Sequence, residues 1–213
     1  EPTNIHRYLS VTKGGIILRM NKAPSTPMTG AQLLVAALKI HGTDHVFCVP
    51  GESYLAVLDA LYDERAHIRL VSCRHEGGAA NMAEAHGKLT GRPGICMVTR
   101  GPGATNASIG VHTAMQDSTP MVLFVGQVAR GASDREGFQE VDYTSFFGGM
   151  VKWVAQIESA DRVAEYVSRA FQVACAGRPG PVVLALPEDM LLDTALPSAI
   201  RPFKAVQASP SPD

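Results

Sequence analysis

Apolar residues along the chain fall into short unbroken runs separated by longer stretches where they recur every three or four positions. The runs His45 to Val49, Ile68 to Ser72, Ile95 to Thr99, Pro120 to Val125, Val151 to Ile157 and Val182 to Leu186 read as strands. Near-continuous apolarity is what a strand covered on both faces shows. Helical stripes lie between them. After Thr29-Gly30-Ala31, the stripe Leu33, Leu34, Ala37, Leu38, His41 is ended by Gly42. Leu55, Leu58, Leu61 and Tyr62 mark a second helix, and small-residue helices run from Glu76 to about Thr90 and through Asn106. Ser159 to Ala176 is amphipathic, with Val163, Tyr166, Val167, Ala170, Phe171 and Ala174 on one face. Strands alternating with helices predict an α/β fold: a three-layer α/β/α sandwich around a six-stranded, mainly parallel sheet.

Length and composition refine this picture. The 213 residues suit one domain with additions at its ends. Residues 1–28 show no clear period and are expected to be an N-terminal extension, either added ahead of a native start near Met20 or disordered. The domain is expected to span residues 29–193. From Leu196 the chain turns Pro-, Ser- and Ala-rich, so residues 194–213 read as a truncated interdomain linker. The chain is 46% hydrophobic and 18% charged, enough for a sizeable core and a surface covered by another domain or subunit. A net charge of −1 with no basic block argues against nucleic acid. No apolar run reaches the roughly 18 residues of a membrane span. Gly14 to Met20 is too short for a secretory segment, so a cytoplasmic protein is expected. Cys48, Cys73, Cys96 and Cys175 form no C-x-x-C pair and are expected to be reduced, buried small hydrophobes.

In an open parallel sheet, ligands gather beyond the carboxyl ends of the strands. The run Ile68 to Val71, expected to be a buried strand, leads into Cys73-Arg74-His75-Glu76-Gly77-Gly78. Glu76 therefore stands between a strand and a helix, beside two glycines that let a ligand or backbone approach. Pro50-Gly51-Glu52 ends another strand, as a tight turn or as part of the same ligand edge. Gly101-x-Gly103-x-x-Asn106 lies near a dinucleotide fingerprint, but Asn106 replaces the third glycine and Pro102 sits inside it. Tight strand-to-helix turning explains these glycines better. Phe138-Gln139-Glu140 follows the polar loop Gly126 to Gly137, of a length usually kept for function. The histidines show no metal-ligand spacing, so no metal is expected on this chain. No G-x-S-x-G elbow is present.

Four motifs occur in order: Val49-Pro50-Gly51-Glu52, Arg74-His75-Glu76-Gly77-Gly78-Ala79-Ala80, Thr99-Arg100-Gly101-Pro102-Gly103-Ala104-Thr105-Asn106 and Gly137-Phe138-Gln139-Glu140. Together they resemble the pyrimidine-binding, N-terminal domain of thiamine-diphosphate enzymes, closest to the acetolactate synthase group, over about Met28 to Leu192. The resemblance implies that Glu76 hydrogen-bonds N1′ of the cofactor's aminopyrimidine. A carboxyl there favours the tautomer of the 4′-amine that accepts the thiazolium proton. Burial of Glu76 among Gly77, Gly78 and alanines would belong to that role, and the helix N-terminus and an inward-pointing Arg74 would oppose it. Pro50, Gly51 and Glu52 would flank the pyrimidine, and Thr99, Pro102, Gly103 and Asn106 would line its pocket. Phe138 and Gln139 would face the substrate, with Gln139 a second catalytic group.

The chain departs from the biosynthetic enzymes, which usually read Gly-Gly after Pro50 and Glu-Gln-Gly after His75. Gly51-Glu52-Ser53 and Glu76-Gly77-Gly78 stand here instead. The Gly-Asp-Gly…Asn motif that holds Mg²⁺ and the diphosphate in this family is absent. The resemblance therefore implies a diphosphate-binding domain from the same or a partner subunit, carrying Mg²⁺. It also implies FAD as an option in the full-length enzyme, a small 2-oxo-acid substrate, and a homodimer or homotetramer. This domain alone would be inactive. The alternative is a non-catalytic interaction module, or the small subunit of a split decarboxylase, that has kept the fold.

Overall fold

The structure is a computed structural model that describes residues 8–12, 15–19, 26–198 and 202. The candidate start at Met20 and most of the expected linker lie outside the described residues. Tyr8–Thr12 (β1) pairs antiparallel with Gly15–Arg19 (β2), a hairpin in a segment whose sequence gives no period. Met28–Thr29 (β3) leads into Gly30–Ile40 (α1) through a capping box, in which the Thr29 side chain accepts from the Gln32 amide and the Gln32 side chain accepts from the Thr29 amide.

His45–Cys48 (β4), Leu55–Asp63 (α2), Arg69–Ser72 (β5), Glu76–Thr90 (α3), Gly94–Val98 (β6), Gly101–Gln116 (α4) and Met121–Gln127 (β7) follow. Then come Tyr143–Phe147 (α5), Trp153–Gln156 (β8), Val163–Cys175 (α6), Pro181–Pro187 (β9) and Thr194–Ala195 (β10). Short 3₁₀ turns at Glu52–Tyr54, Arg130–Ala132 and Ala160–Arg162 lead into or link these elements.

Six strands form one sheet in the order β5-β4-β6-β7-β9-β8, and every adjacent pair is parallel. Helices cover both faces, so the three-layer sandwich stands. Strand pleating sends alternate residues to opposite layers. Ile95 and Met97 join Leu34, Leu38, Val57, Leu61, Val167 and Phe171 on one face. Cys96 and Val98 join Ala79, Ala80, Ala83, Ala104, Ala107 and Val111 on the other. One sequence expectation is corrected. β5 is an edge strand with an exposed–half-buried–half-buried–exposed pattern, not a buried one, because only β4 pairs with it. Among the described residues no helix is long and apolar enough to cross a membrane. All four cysteines are free. Cys48 and Cys96 are buried as expected, but Cys73 and Cys175 are only half-buried.

On the second face the buried sides of α3 and α4 are mostly alanine and glycine, and this lets the two helices lie close. A Cβ on Gly110 of α4 would come within 2.5 Å of Ala80 Cβ and 2.7 Å of its carbonyl carbon. A Cβ on Gly94 would sit 1.8 Å from Ala83 O, so α3 is also pressed onto the start of β6. Thr194–Ala195 pairs antiparallel with Met28–Thr29, which brings the two ends of the domain together. Overpacking and helix propensity oppose each other at the helical glycines. Gly110→Ala should lose about 1–3 kcal/mol of stability in urea unfolding. Gly78, around which a Cβ would meet nothing within 4 Å, should gain about 0.5–1 kcal/mol as Gly78→Ala.

Candidate functional site at the sheet switch point

β4 has β5 on one side and β6 on the other, so the chain turns one way after β4 and the opposite way after β5. The carboxyl ends of β4 and β6 flank the switch point where open α/β sheets bind ligands. Gly51 follows β4 with extended backbone (φ −147°). A Cβ on it would lie 2.6 Å from Thr99 Cβ and 2.9 Å from Thr99 Oγ1. Only glycine lets the turn after β4 close onto the end of β6. Ser53 Oγ and Thr99 Oγ1 share a hydrogen bond of 3.0 Å, which ties the two turns together.

Glu76 opens α3 two residues after the strand-side Arg74, which is exposed. His75 caps the helix, its Nδ1 accepting from the Gly77 amide at 3.0 Å. A carboxylate in the first turn is also favoured by the helix dipole. Glu76 is half-buried rather than enclosed among its glycines and alanines. Its Oε2 accepts from Asn106 Nδ2 of α4 at 2.9 Å. Its Oε1 stands where a Cβ on Gly103 would lie 3.7 Å away, and that Cβ would also press on Thr99 Cγ2 at 3.0 Å. Gly51, Thr99, Gly103, Asn106 and Glu76 thus form one small-residue cradle around a carboxylate. Such a cradle admits a flat ring with a polar edge.

Phe138 and Gln139 reach the same rim through their backbone carbonyls. Gly101 N–H donates to Gln139 O at 2.9 Å, so the loop caps α4, whose N-cap Arg100 supplies no side-chain cap. Pro102 sits in the first turn, where its missing amide costs nothing. Arg100 is buried; its Nη1 donates to Phe138 O at 3.1 Å and its Nη2 to Glu188 Oε2 at 2.9 Å. Glu52, exposed, stands 3.8 Å from the same guanidinium. Phe138 is 72% exposed. Asp134, Glu136 and Gln139 adopt left-handed backbone (φ +61°, +54° and +63°) that non-glycine residues rarely adopt. Glu140 holds this loop by accepting from the amides of Asp134 at 2.7 Å and Gly137 at 2.8 Å. The Gly137 and Asp134 amides keep the Glu140 carboxyl below its ordinary range.

This arrangement meets a family pattern. The model of the thiamine pyrophosphate enzyme N-terminal TPP binding domain matches residues 28–146, across both turns, Glu76 and the loop. The chain belongs to that family. It is 41% identical over 165 residues to the acetolactate synthase isozyme 2 large subunit of Escherichia coli (strain K12), covering 78% of this chain and 30% of the relative. It is 37% identical over 173 residues to the mitochondrial acetolactate synthase catalytic subunit of Aspergillus candidus, covering 80% and 25%. It is 36% identical over 184 residues to the catabolic acetolactate synthase of Raoultella terrigena, covering 86% and 33%. The chain therefore spans about a quarter to a third of the length of these relatives.

Within this TPP-binding domain, the structure brings Gly51, Glu76, Thr99, Gly103 and Asn106 together. Pro50 and Pro102 lie exposed on the same rim. Glu52 faces Arg100 rather than the carboxylate, and Phe138 and Gln139 are anchored by their carbonyls. Sequence reading missed Ser53, which locks Thr99, and Arg100, which fastens the Phe138 loop. It also missed His75 as a cap. Arg100 stands inside the third motif, but nothing in the sequence marks it as buried. A depression of about 730 Å³ lies further along the rim, lined by Gln127, Arg130, Glu140, Asp142, Tyr143 and Gln156 among others, and Glu76 lies outside it.

The loop gives a pH test. Because the folded value of Glu140 is depressed, its contribution is present above the ordinary carboxylate value and is lost as pH falls through the folded value. Exchange protection of the Asp134 and Gly137 amides, corrected for intrinsic rates, should hold at neutral pH and fall on acidification. In Glu140→Ala it should be low throughout.

Proposed function

We propose that the cradle around Glu76 binds the aminopyrimidine ring of thiamine diphosphate. We propose further that the domain serves a 2-oxo-acid decarboxylase or carboligase of the acetolactate synthase kind. The observation that carries the reading is the Glu76–Asn106 pair at the switch point, with Oε2 taken by the Asn106 amide at 2.9 Å and Oε1 turned toward the space above Gly103. A carboxyl held this way presents one oxygen to a ring nitrogen edge-on. Bound thiamine diphosphate supplies the carbon acid whose deprotonated form adds to the carbonyl of a 2-oxo acid. Glu76 holds a proton at pyrimidine N1′, and Asn106 fixes which oxygen does so. Gly51 and Gly103 let both turns close against Thr99, which forms the floor beside the carboxylate. The Phe138–Gln139 segment, fastened by Arg100 and Gly101, borders the side from which substrate enters.

In this proposal Mg²⁺ and the diphosphate are held by a diphosphate-binding domain of the same or a partner subunit, and a homodimer or homotetramer completes the site. FAD belongs to another part of the full-length enzyme, and the setting is cytoplasmic. Exposed Met82 and Leu89 on α3 and Ile109 on α4 support a partner covering this face.

The reading is tested on this chain and on an assembled enzyme. Titration with thiamine, followed by amide NMR, should shift Gly51, Glu76, Gly77 and Asn106 and spare the far edge of the sheet. Shifts confined to other residues would sink the proposal. In an enzyme carrying the diphosphate-binding domain, Glu76→Gln should slow pyruvate consumption about 10²–10⁴-fold. Asn106→Ala should have a smaller effect.

A further inference from the structure

The amino edge of the sheet, opposite Glu76, carries a side-chain cluster that the cofactor site does not use. Asp44 immediately precedes β4, His45 begins it, and His86 lies in the last turns of α3. They line a cavity of about 10 Å³ together with Thr43 and Arg92, the size of one water or one ion. Among the described residues, the enclosed side-chain polar atoms without a hydrogen-bond partner are Thr43 Oγ1, His45 Nδ1, His86 Nδ1 and Arg100 Nε. The first three belong to residues that border this cavity. His45 Nδ1 meets the Asp44 carboxylate without a well-directed hydrogen bond, and Thr43 Oγ1 and His86 Nδ1 have none, so the small space between these residues calls for an occupant.

The donor geometry says which occupant. His45 Nδ1 lies 3.1 Å and His86 Nε2 3.2 Å from the same oxygen, Asp44 Oδ1. All three atoms fall within 4.8 Å of one another. Ligand atoms about 2.0–2.1 Å from a tetrahedral zinc stand about 3.3 Å apart. The other Asp44 oxygen, Oδ2, is taken by Arg92 Nη2 at 2.9 Å, and Arg92 Nη1 is fixed by Gly42 O at 3.0 Å. Arg92 therefore aims Oδ1 at the two rings, the kind of support that metal-ligating carboxylates receive. Two imidazoles and a carboxylate suit a borderline divalent ion, not the hard oxygen-seeking ones.

We propose that Asp44 Oδ1, His45 Nδ1 and His86 Nε2 bind one divalent transition-metal ion of the zinc class, with water in the fourth position. The ion clamps the start of β4 to the end of α3. It is independent of the cofactor reading, because the ligands sit at the other end of α3 from Glu76.

The test uses this chain, stripped with chelator and titrated with ZnCl₂ alone by calorimetry. One ion per chain with micromolar affinity is expected, and Co²⁺ in its place should show the visible bands of four-coordinate cobalt. Asp44→Asn and His86→Gln should each weaken binding roughly tenfold or more, while His67→Ala, at an exposed histidine elsewhere, should not. If His86→Gln fails to fold by circular dichroism, His45→Gln takes its place. Absence of Zn²⁺ binding, or binding unchanged in the Asp44 and histidine variants, would overturn the proposal and leave a water as the occupant.

Discussion

The close contact of α3 with α4 is the constraint on which the rest depends. Gly110 lies so near Ala80 that a single methyl group would force the helices apart, and Gly94 lies against Ala83 in the same way. Core packing does not stretch continuously, so two helices seated like this have one separation. That separation sets the distance between a side chain at the start of α3 and one a turn and a half into α4. Glu76 and Asn106 meet at 2.9 Å because alanines and glycines, not larger residues, fill the layer behind them. The site's geometry is inherited from a core that holds no chemistry.

The turns at the rim add a second layer of the same logic. Gly51 closes onto Thr99, Ser53 locks it, and the loop from Asp134 to Glu140 is fastened by Arg100, by the Gly101 amide and by the Glu140 carboxylate within it. The left-handed residues of that loop hold an unfavourable backbone that only these fastenings sustain. Rigid strands and helices position the carboxylate; an anchored loop with left-handed residues borders the same rim.

Much of this was legible along the chain. Six apolar runs gave six strands, because a parallel strand covered on both faces has no polar side to hide it. The order of the strands was not legible, and so β5 was expected to be buried although it has a single neighbour. α5, one short turn-rich helix carried by Tyr143, Phe146 and Phe147, lacked the length for a periodic signal. The motif residues Gly51, Glu76, Thr99, Gly103 and Asn106 stood out because glycine and acid at strand ends are chemically conspicuous. Ser53, Arg100 and the trio Asp44, His45 and His86 did not. Their partners are remote in sequence, and only the fold puts a residue of α3's last turns beside the first residues of β4.

The ladder between Met28–Thr29 and Thr194–Ala195 has a consequence for how this domain is tethered. α1 runs back from the carboxyl edge of the sheet, and β9 finishes at that edge, so the chain enters and leaves along the edge that carries Glu76. Flanking polypeptide is therefore leashed at a single point next to the cradle, with the amino edge turned away from it. Any neighbour joined through this doorway starts its search for a docking pose already at the mouth of the site, and the sandwich can be moved between longer chains as a cassette without rerouting a strand.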